Sequence, residues 1–231
     1  MSDTSKESLH KLLTDLHAHR IATYDPKALQ INIDQRQLLV NTADVTRYPK
    51  VGDVLSSFSL HEVNDGAISL DQLVADGPAV LIFFRFAGCP ACNIALPYYQ
   101  RNLAPELQKL GATLIAVSPQ VSDRLIDIKV RHNFDFKVAS DIDNALARKL
   151  GILYSYSQAA RDASIASGKT IGEVVGTGTW ELPMPTVLVI DQERAVRFID
   201  VSPDWLVRTE ADVILNAVRQ IGAHEQPAVA H

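Results

Sequence analysis

The chain has 231 residues, 47% of them hydrophobic, enough to bury a substantial core in one domain with additions or in two small ones. A formal net charge of −5 with scattered Lys and Arg residues excludes the basic stripe that nucleic-acid binding requires. The longest apolar run, Ala79 to Phe84, ends at Arg85, far short of the roughly 20 residues that cross a bilayer, so no membrane association is expected.

The first helix is expected over Thr4 to Tyr24, where Leu9, Leu12, Leu13, Leu16 and Ile21 fall near helical spacing and Thr4 and Glu7 form a capping box. This segment carries Lys6, Glu7, Lys11 and Asp15 where an export signal needs an apolar stretch, so a reducing cytoplasm is the expected compartment. His10, His17 and His19 read as surface residues, because their spacings do not gather them on one face. Asp25-Pro26 opens a second helix running to about Asn41, and Thr42 to Gly52 reads as a linker. The predicted organisation is a helical extension over 1–48, a main domain over 49–223 and a flexible tail over 224–231. The apolar face of the extension must bury on its own domain or on a second subunit, which leaves a homodimer open.

From Asp53 onward, short apolar runs alternate with helical patterns, the texture of an α/β domain. Strands are expected at Ser57–Leu60, Ala79–Phe86, Thr113–Ser118, Lys137–Ala139, Thr186–Ile190 and Ala195–Asp200. Helices are expected at Leu70–Ala75, Pro90–Leu110, Ser122–His132, Asn144–Leu150 and Asp204–Ile221. The continuous apolar character of Val80–Phe84 and Val187–Ile190 makes these two strands central. Gly168 to Gly178, rich in Gly and Thr without a period, reads as an extended loop.

The only two cysteines, Cys89 and Cys92, are three positions apart. A disulfide closing so short a loop contributes little to stability, so the pair points to chemistry. Cys89 follows a buried strand, and Pro90 takes a first helical position, so Cys89 lies at a helix N-terminus. Free N–H groups and the helix dipole favour a thiolate there. Arg85, at the strand end, is a candidate second source of positive charge. Cys92, one turn on and more covered, reads as the thiol that resolves whatever forms on Cys89. The alternative, half of a zinc site, lacks a second Cys or His pair at ligand spacing, and no metal or cofactor is called for.

Five stretches occur in order: Val51-Gly52-Asp53 with Phe58-Ser59-Leu60, FFRFAGCPACN, GATLIAVSPQ, SDIDNALARKLGI and LPMPTVLVID. Together, from about Val51 to Val218, they resemble the peroxiredoxin-like branch of the alkyl hydroperoxide reductase/thiol-specific antioxidant family, within the thioredoxin superfamily. The resemblance implies a thioredoxin-like α/β fold. Its five-stranded mixed sheet is flanked by helices, the dithiol opens the first long helix, and a cis-proline faces it. Pro185 fits that proline, and a bent Met184-Pro185 would expose the Met184 backbone to an extended substrate segment. The chain departs from true peroxiredoxins, whose P-x-x-x-T-x-x-C motif would need Pro at 82 and Thr at 86, where Ile82 and Phe86 stand. The peroxide-binding Arg of that family falls at Pro185, leaving Arg85 as a candidate substitute.

Around this centre, Glu181 is a candidate proton acceptor for Cys92 or a solvated loop carboxylate, and Trp180 a candidate cover or simple packing. Tyr98, Tyr99, Tyr154 and Tyr156 read as packing groups, and Arg208 as a surface partner of Glu210 or Asp204. The expected activity is thiol-dependent reduction of a hydroperoxide or a disulfide, ending in a Cys89–Cys92 disulfide that a cellular dithiol such as thioredoxin reduces. A redox sensor or binding module is the reading from a different class. Copper delivery is disfavoured, since thioredoxin-fold copper carriers pair Cys-x-x-x-Cys with a distant His.

Overall fold

The computed structural model describes residues 7–224. Two helices open the chain, α1 (Leu9–Thr23) and α2 (Pro26–Thr42). The Ser8 side chain caps α1 by accepting the Lys11 N–H at 3.3 Å, and Asp25 caps α2 by accepting the Ala28 N–H at 2.9 Å, with Pro26 at the first helical position. Thr4, half of the predicted capping box, lies outside the described residues, and the Glu7 carboxylate is bonded instead to Arg101 at 2.7 Å and Asn102 at 2.6 Å.

The main body runs β1 (Ser59–Glu62), β2 (Gly66–Ser69), α3 (Leu70–Leu73), β3 (Ala79–Phe83), α4 (Cys92–Asn102), α5 (Ala104–Lys109), β4 (Thr113–Ser118), α6 (Ser122–His132) and β5 (Lys137–Ser140). It continues through α7 (Ala145–Lys149), β6 (Leu153–Ser155), α8 (Gln158–Ala166), α9 (Ile171–Val175), β7 (Glu181–Pro183), β8 (Thr186–Ile190), β9 (Val196–Val201) and α10 (Ala211–His224). Seven strands form one mixed sheet in the order β2-β1-β5-β4-β3-β8-β9, and β6 and β7 pair separately. β3 and β8, antiparallel with Leu81 opposite Leu188, bury every side chain, as their unbroken apolar runs predict.

The five strands that the resemblance implies are β5-β4-β3-β8-β9, and the sixth strand expected from the sequence, Ser57–Leu60, is β1, which lies two residues later. β2, not expected, pairs with β1 in a hairpin at the β5 edge. The predicted helix Pro90–Leu110 is broken at Leu103, because Pro105 has no N–H with which to continue the α4 ladder. The expected strand Ala79–Phe86 stops at Phe83, where the chain turns toward the dithiol. The expected loop Gly168–Gly178 contains α9, opened by a Thr170/Glu173 capping box.

The last predicted helix begins seven residues late, at Ala211. Residues 204–210 instead form a turn: the Asp204 carboxylate accepts the Leu206 N–H at 2.9 Å, and the Asp204 carbonyl accepts the Val207 N–H at 2.9 Å.

α1 and α2 dock on their own chain. Leu9 and Leu13 are fully buried in the common core, α1 lies on α4 and α2 on α8. The Glu210 carboxylate, just before α10, accepts Ser8 Oγ–H, Leu9 N–H and His10 N–H at 2.9, 3.1 and 2.9 Å, so it satisfies free donors of the first turn of α1. His10 and His19 are exposed, but His17 is half-buried, and burial followed by Arg36 and Arg20 pushes its imidazole pKa down. Among the described residues no helix is long and apolar enough to cross a membrane.

Candidate active site

The loop from β3 into α4 carries the dithiol. Cys89 N–H donates to the Phe86 carbonyl at 3.1 Å, and the Cys89 carbonyl accepts the Asn93 N–H at 3.0 Å. Pro90 is not the first helical residue expected from the sequence: residues 90–91 form a turn, Ala91 is the N-cap and α4 begins at Cys92, so Cys89 lies just before the helix, not at its cap. Neighbouring elements lock this loop. Ala87 N–H donates to Gln120 Oε1 at 2.7 Å, and Ser118 Oγ–H donates to the Arg85 carbonyl at 3.1 Å, both from the end of β4. The Asn93 amide donates to the Ala87 and Cys89 carbonyls at 2.7 and 2.9 Å, while His132 Nε2 holds Asn93 Oδ1 at 2.8 Å.

Both cysteines are free thiols, Cys89 1% exposed and Cys92 0%. The sulfur of Cys89 is thus enclosed, not presented at the surface. Arg85 Nη1 lies 3.9 Å from Cys89 Sγ, and Arg208 Nη2 lies 3.7 Å from Cys92 Sγ. Each guanidinium is fixed from another side. Arg85 donates through Nη2 to Tyr156 Oη at 3.1 Å and lies 4.1 Å over the Trp205 ring, while Arg208 Nε donates to the Trp205 carbonyl at 2.9 Å. Both arginines are buried, and among the described residues neither forms a salt bridge with a carboxylate. The sulfurs are the acceptors that face them.

This arrangement separates the two thiols. The Cys92 thiol, donating toward Cys89, lowers the Cys89 pKa most; burial opposes this, and the charges of Arg85 and Arg208 add to the lowering, leaving Cys89 well below the ordinary thiol value. Cys92 is pushed well above it, first by burial and then by its bond to Cys89 and the charge there. Arg85 stays charged despite burial, with Tyr154 and Cys89 as the main opposing influences. Of the two thiols, Cys89 is therefore the one that loses its proton first.

Met184–Pro185 is trans, since the described residues contain no cis peptide bond. The chain here passes directly from β7 to β8: Met184 N–H donates to the Ile152 carbonyl at 2.8 Å, its carbonyl accepts Thr186 Oγ1–H at 2.9 Å, and the Pro185 carbonyl accepts Ser202 N–H at 2.8 Å. The Met184 backbone therefore offers no free edge to a peptide, and its side chain is buried with Sδ 3.8 Å from Tyr48 Oη. The Glu181 carboxylate is taken up by Arg148 in a two-pronged pair at 2.6 and 3.2 Å, which holds its pKa down and makes it a poor proton acceptor. Trp180 is half-buried, with its ring centroid 6.1 Å from that of Tyr156, so it backs the tyrosine that holds Arg85.

Arg208, Trp205 and Tyr156 are the site residues that the sequence reading misses. Arg208 is buried on Cys92, not paired at the surface with Glu210 or Asp204. Tyr98 and Tyr99 do pack in the core, with hydroxyls donating to Glu210 Oε2 at 2.6 Å and the Thr209 carbonyl at 2.7 Å. Among the described residues no group of three His, Cys, Asp or Glu side chains is arranged to hold a metal ion.

Comparison with known proteins agrees with this fold. Two putative peroxiredoxins of Mycobacterium tuberculosis are each 27% identical to the chain over 103 residues, which is 45% of this chain and 66% of theirs. The chain thus matches just under two thirds of the length of these relatives. Among solved structures, a peroxidoxin of Mycobacterium tuberculosis aligns with a TM-score of 0.58 at 24% identity, covering 75% of this chain and 99% of that one. The peroxiredoxin 6 of Arenicola marina aligns with a TM-score of 0.60 at 17% identity, covering 79% and 80%. Residues 51–199, from the linker before β1 into β9, match the AhpC/TSA family, and the chain belongs to that family.

Proposed function

We propose that the protein is a thiol-dependent peroxidase in which Cys89 attacks a hydroperoxide and Cys92 resolves the product. The observation that carries this reading is the pair of buried arginines, Arg85 and Arg208, that face the two sulfurs without carboxylate partners. The Cys89 thiolate attacks one peroxide oxygen, the O–O bond breaks, and the departing alkoxide takes a proton, giving Cys89 sulfenic acid and an alcohol. Cys92 then attacks the Cys89 sulfur and releases water, leaving a Cys89–Cys92 disulfide. A dithiol of the thioredoxin type reduces it by two successive exchanges. Arg85 and the Tyr156 hydroxyl provide donors beside the reacting sulfur, where peroxiredoxin-like chemistry needs the O–O bond polarised.

A small oxidant suits the site better than a protein disulfide. Cys89 is enclosed and the Met184 N–H is already bonded, so an extended peptide finds neither an open thiol nor a free strand edge. A dithiol pair with no other cysteine in the chain fits a reducing compartment such as the cytoplasm.

The test is to oxidise the reduced protein with an alkyl hydroperoxide and, separately, with an oxidised protein dithiol, and to follow the loss of free thiols. Cys89→Ser abolishes the peroxide reaction. Cys92→Ser consumes one equivalent of peroxide and accumulates a sulfenic acid that a cyclic dione traps at residue 89. A faster reaction with the protein disulfide, with a mixed disulfide accumulating in Cys92→Ser, overturns the peroxidase reading in favour of a disulfide reductase.

A further inference from the structure

The two N-terminal helices lie outside the family match, yet they hold the segment that completes the dithiol site. This segment, residues 204–210, is pinned at both ends. Arg36 of α2, buried, places Nη1 3.1 Å from both Asp204 carboxylate oxygens. At the other end Glu210 receives the first turn of α1 together with the Tyr98 hydroxyl. Between the two anchors the segment carries Trp205, whose ring meets Arg85, and Arg208, whose guanidinium meets Cys92. A short mechanical path therefore runs from Arg36 through Asp204 to Trp205, and from there to Arg85 and Cys89.

We propose that Arg36 is a positioning residue for the thiol chemistry: its ion pair with Asp204 fixes the turn that sets Trp205 and Arg208 against Arg85 and Cys92. Arg36 touches neither sulfur. It acts by holding a turn whose own bonds are local, namely Asp204 to the Leu206 N–H and Asp204 to the Val207 N–H. One guanidinium nitrogen, Nη1, sits between the two carboxylate oxygens, and the rest of the buried, planar group is held by packing, which the narrower, more flexible lysine at the same place reproduces only in part. Without the pair, the turn loses its link to α2, and Trp205 is free to shift away from Arg85. The cation beside Cys89 then loses the face that orients it. This inference rests on Cys89 being the reacting thiol.

The charged and titratable groups around the pair are His17 and Arg20 of α1, which act on the same spot as Arg36 and Asp204. Those facing the sulfurs are Arg85, Arg208, Tyr154 and Tyr156. Since Arg36 and Asp204 both act on the His17 imidazole, whose pKa burial pushes down, all variants are compared in a His17→Gln background.

The experiment measures the rate of iodoacetamide alkylation of the reduced protein against pH for the parent, Arg36→Met, Arg36→Lys and Asp204→Asn, with the thermal midpoint recorded for each. Arg36→Met keeps the buried stem but removes the pair. It is expected to move the alkylation midpoint up by about one pH unit and to slow peroxide consumption at neutral pH several-fold. Arg36→Lys recovers part of the shift. Arg36→Met combined with Asp204→Asn adds little to either single change, since both cut one link. A lowered thermal midpoint with an unmoved pH profile assigns Arg36 a purely structural role and overturns the proposal. If Arg36→Met does not fold, Asp204→Asn, which keeps the side-chain volume, decides in the same way. Cys89→Ser and Cys92→Ser run in parallel: alkylation that survives Cys89→Ser and is lost in Cys92→Ser refutes the assignment of the nucleophile, whatever the Arg36 variants do.

Discussion

Cys89 lies just before α4 and Cys92 is its first residue, both buried, yet the pKa of one is lowered and that of the other raised. The largest influence lowering Cys89 is the hydrogen bond from Cys92, ahead of either arginine. Cys92→Ala, which deletes the donor, is therefore expected to raise the apparent Cys89 pKa more than Cys92→Ser, whose hydroxyl still donates; thiolate absorbance in the ultraviolet against pH checks the order. The same shift has a stability consequence. With its folded pKa below the unfolded value, the Cys89 thiolate stabilises the reduced fold fully above the ordinary thiol range of about 8.5. That contribution is lost as pH falls from there through the lowered folded value. Urea unfolding of the reduced parent and Cys89→Ser should show the difference between them shrinking on acidification. At this scale the sequence reveals the dithiol and Arg85, because Pro90 and the preceding strand fix where they lie. It does not reveal Arg208, which meets Cys92, or Trp205, which meets Arg85: both lie more than a hundred positions away, on a turn that periodicity misreads as helix.

Elements with a clear start signal, a helical apolar period or an unbroken apolar run are legible from sequence, as α2, α6 and the strands β3, β4 and β8 show in turn. Three-residue strands are not: β6 and β7 are too short for alternation to register. α8 has four alanines among its nine residues and none fully buried, so it carries few large apolar groups to announce it. α9 follows glycine and threonine residues that read as loop, and its packing explains one of the glycines. A Cβ on Gly172 would lie 2.7 Å from the Gly178 carbonyl carbon and the Thr179 backbone, so α9 can sit against the 177–180 segment only without a side chain there. Gly172→Ala is expected to cost about 1–3 kcal/mol of stability by forcing these backbones apart. The midpoint of urea unfolding measures it.

For the molecule as a whole, the sheet and its flanking helices follow the family, and the α1–α2 pair is added in a way that composition alone leaves open. Either its own domain or a second subunit could have covered the apolar face of α1; the structure puts Leu9 and Leu13 into the common core. Leu13→Ala should therefore lower global stability by about 2–5 kcal/mol in a single unfolding transition. A separate, earlier transition would mean that the extension melts on its own. The chain has two tryptophans, and both stand in the shell around the dithiol: Trp205 buried under Arg85, and Trp180 half-buried against Tyr156. No indole elsewhere dilutes their emission. The protein thus carries its own optical gauge, in which a change of charge or bonding at the sulfurs alters the light from Trp205, and movement of the outer cover alters that from Trp180.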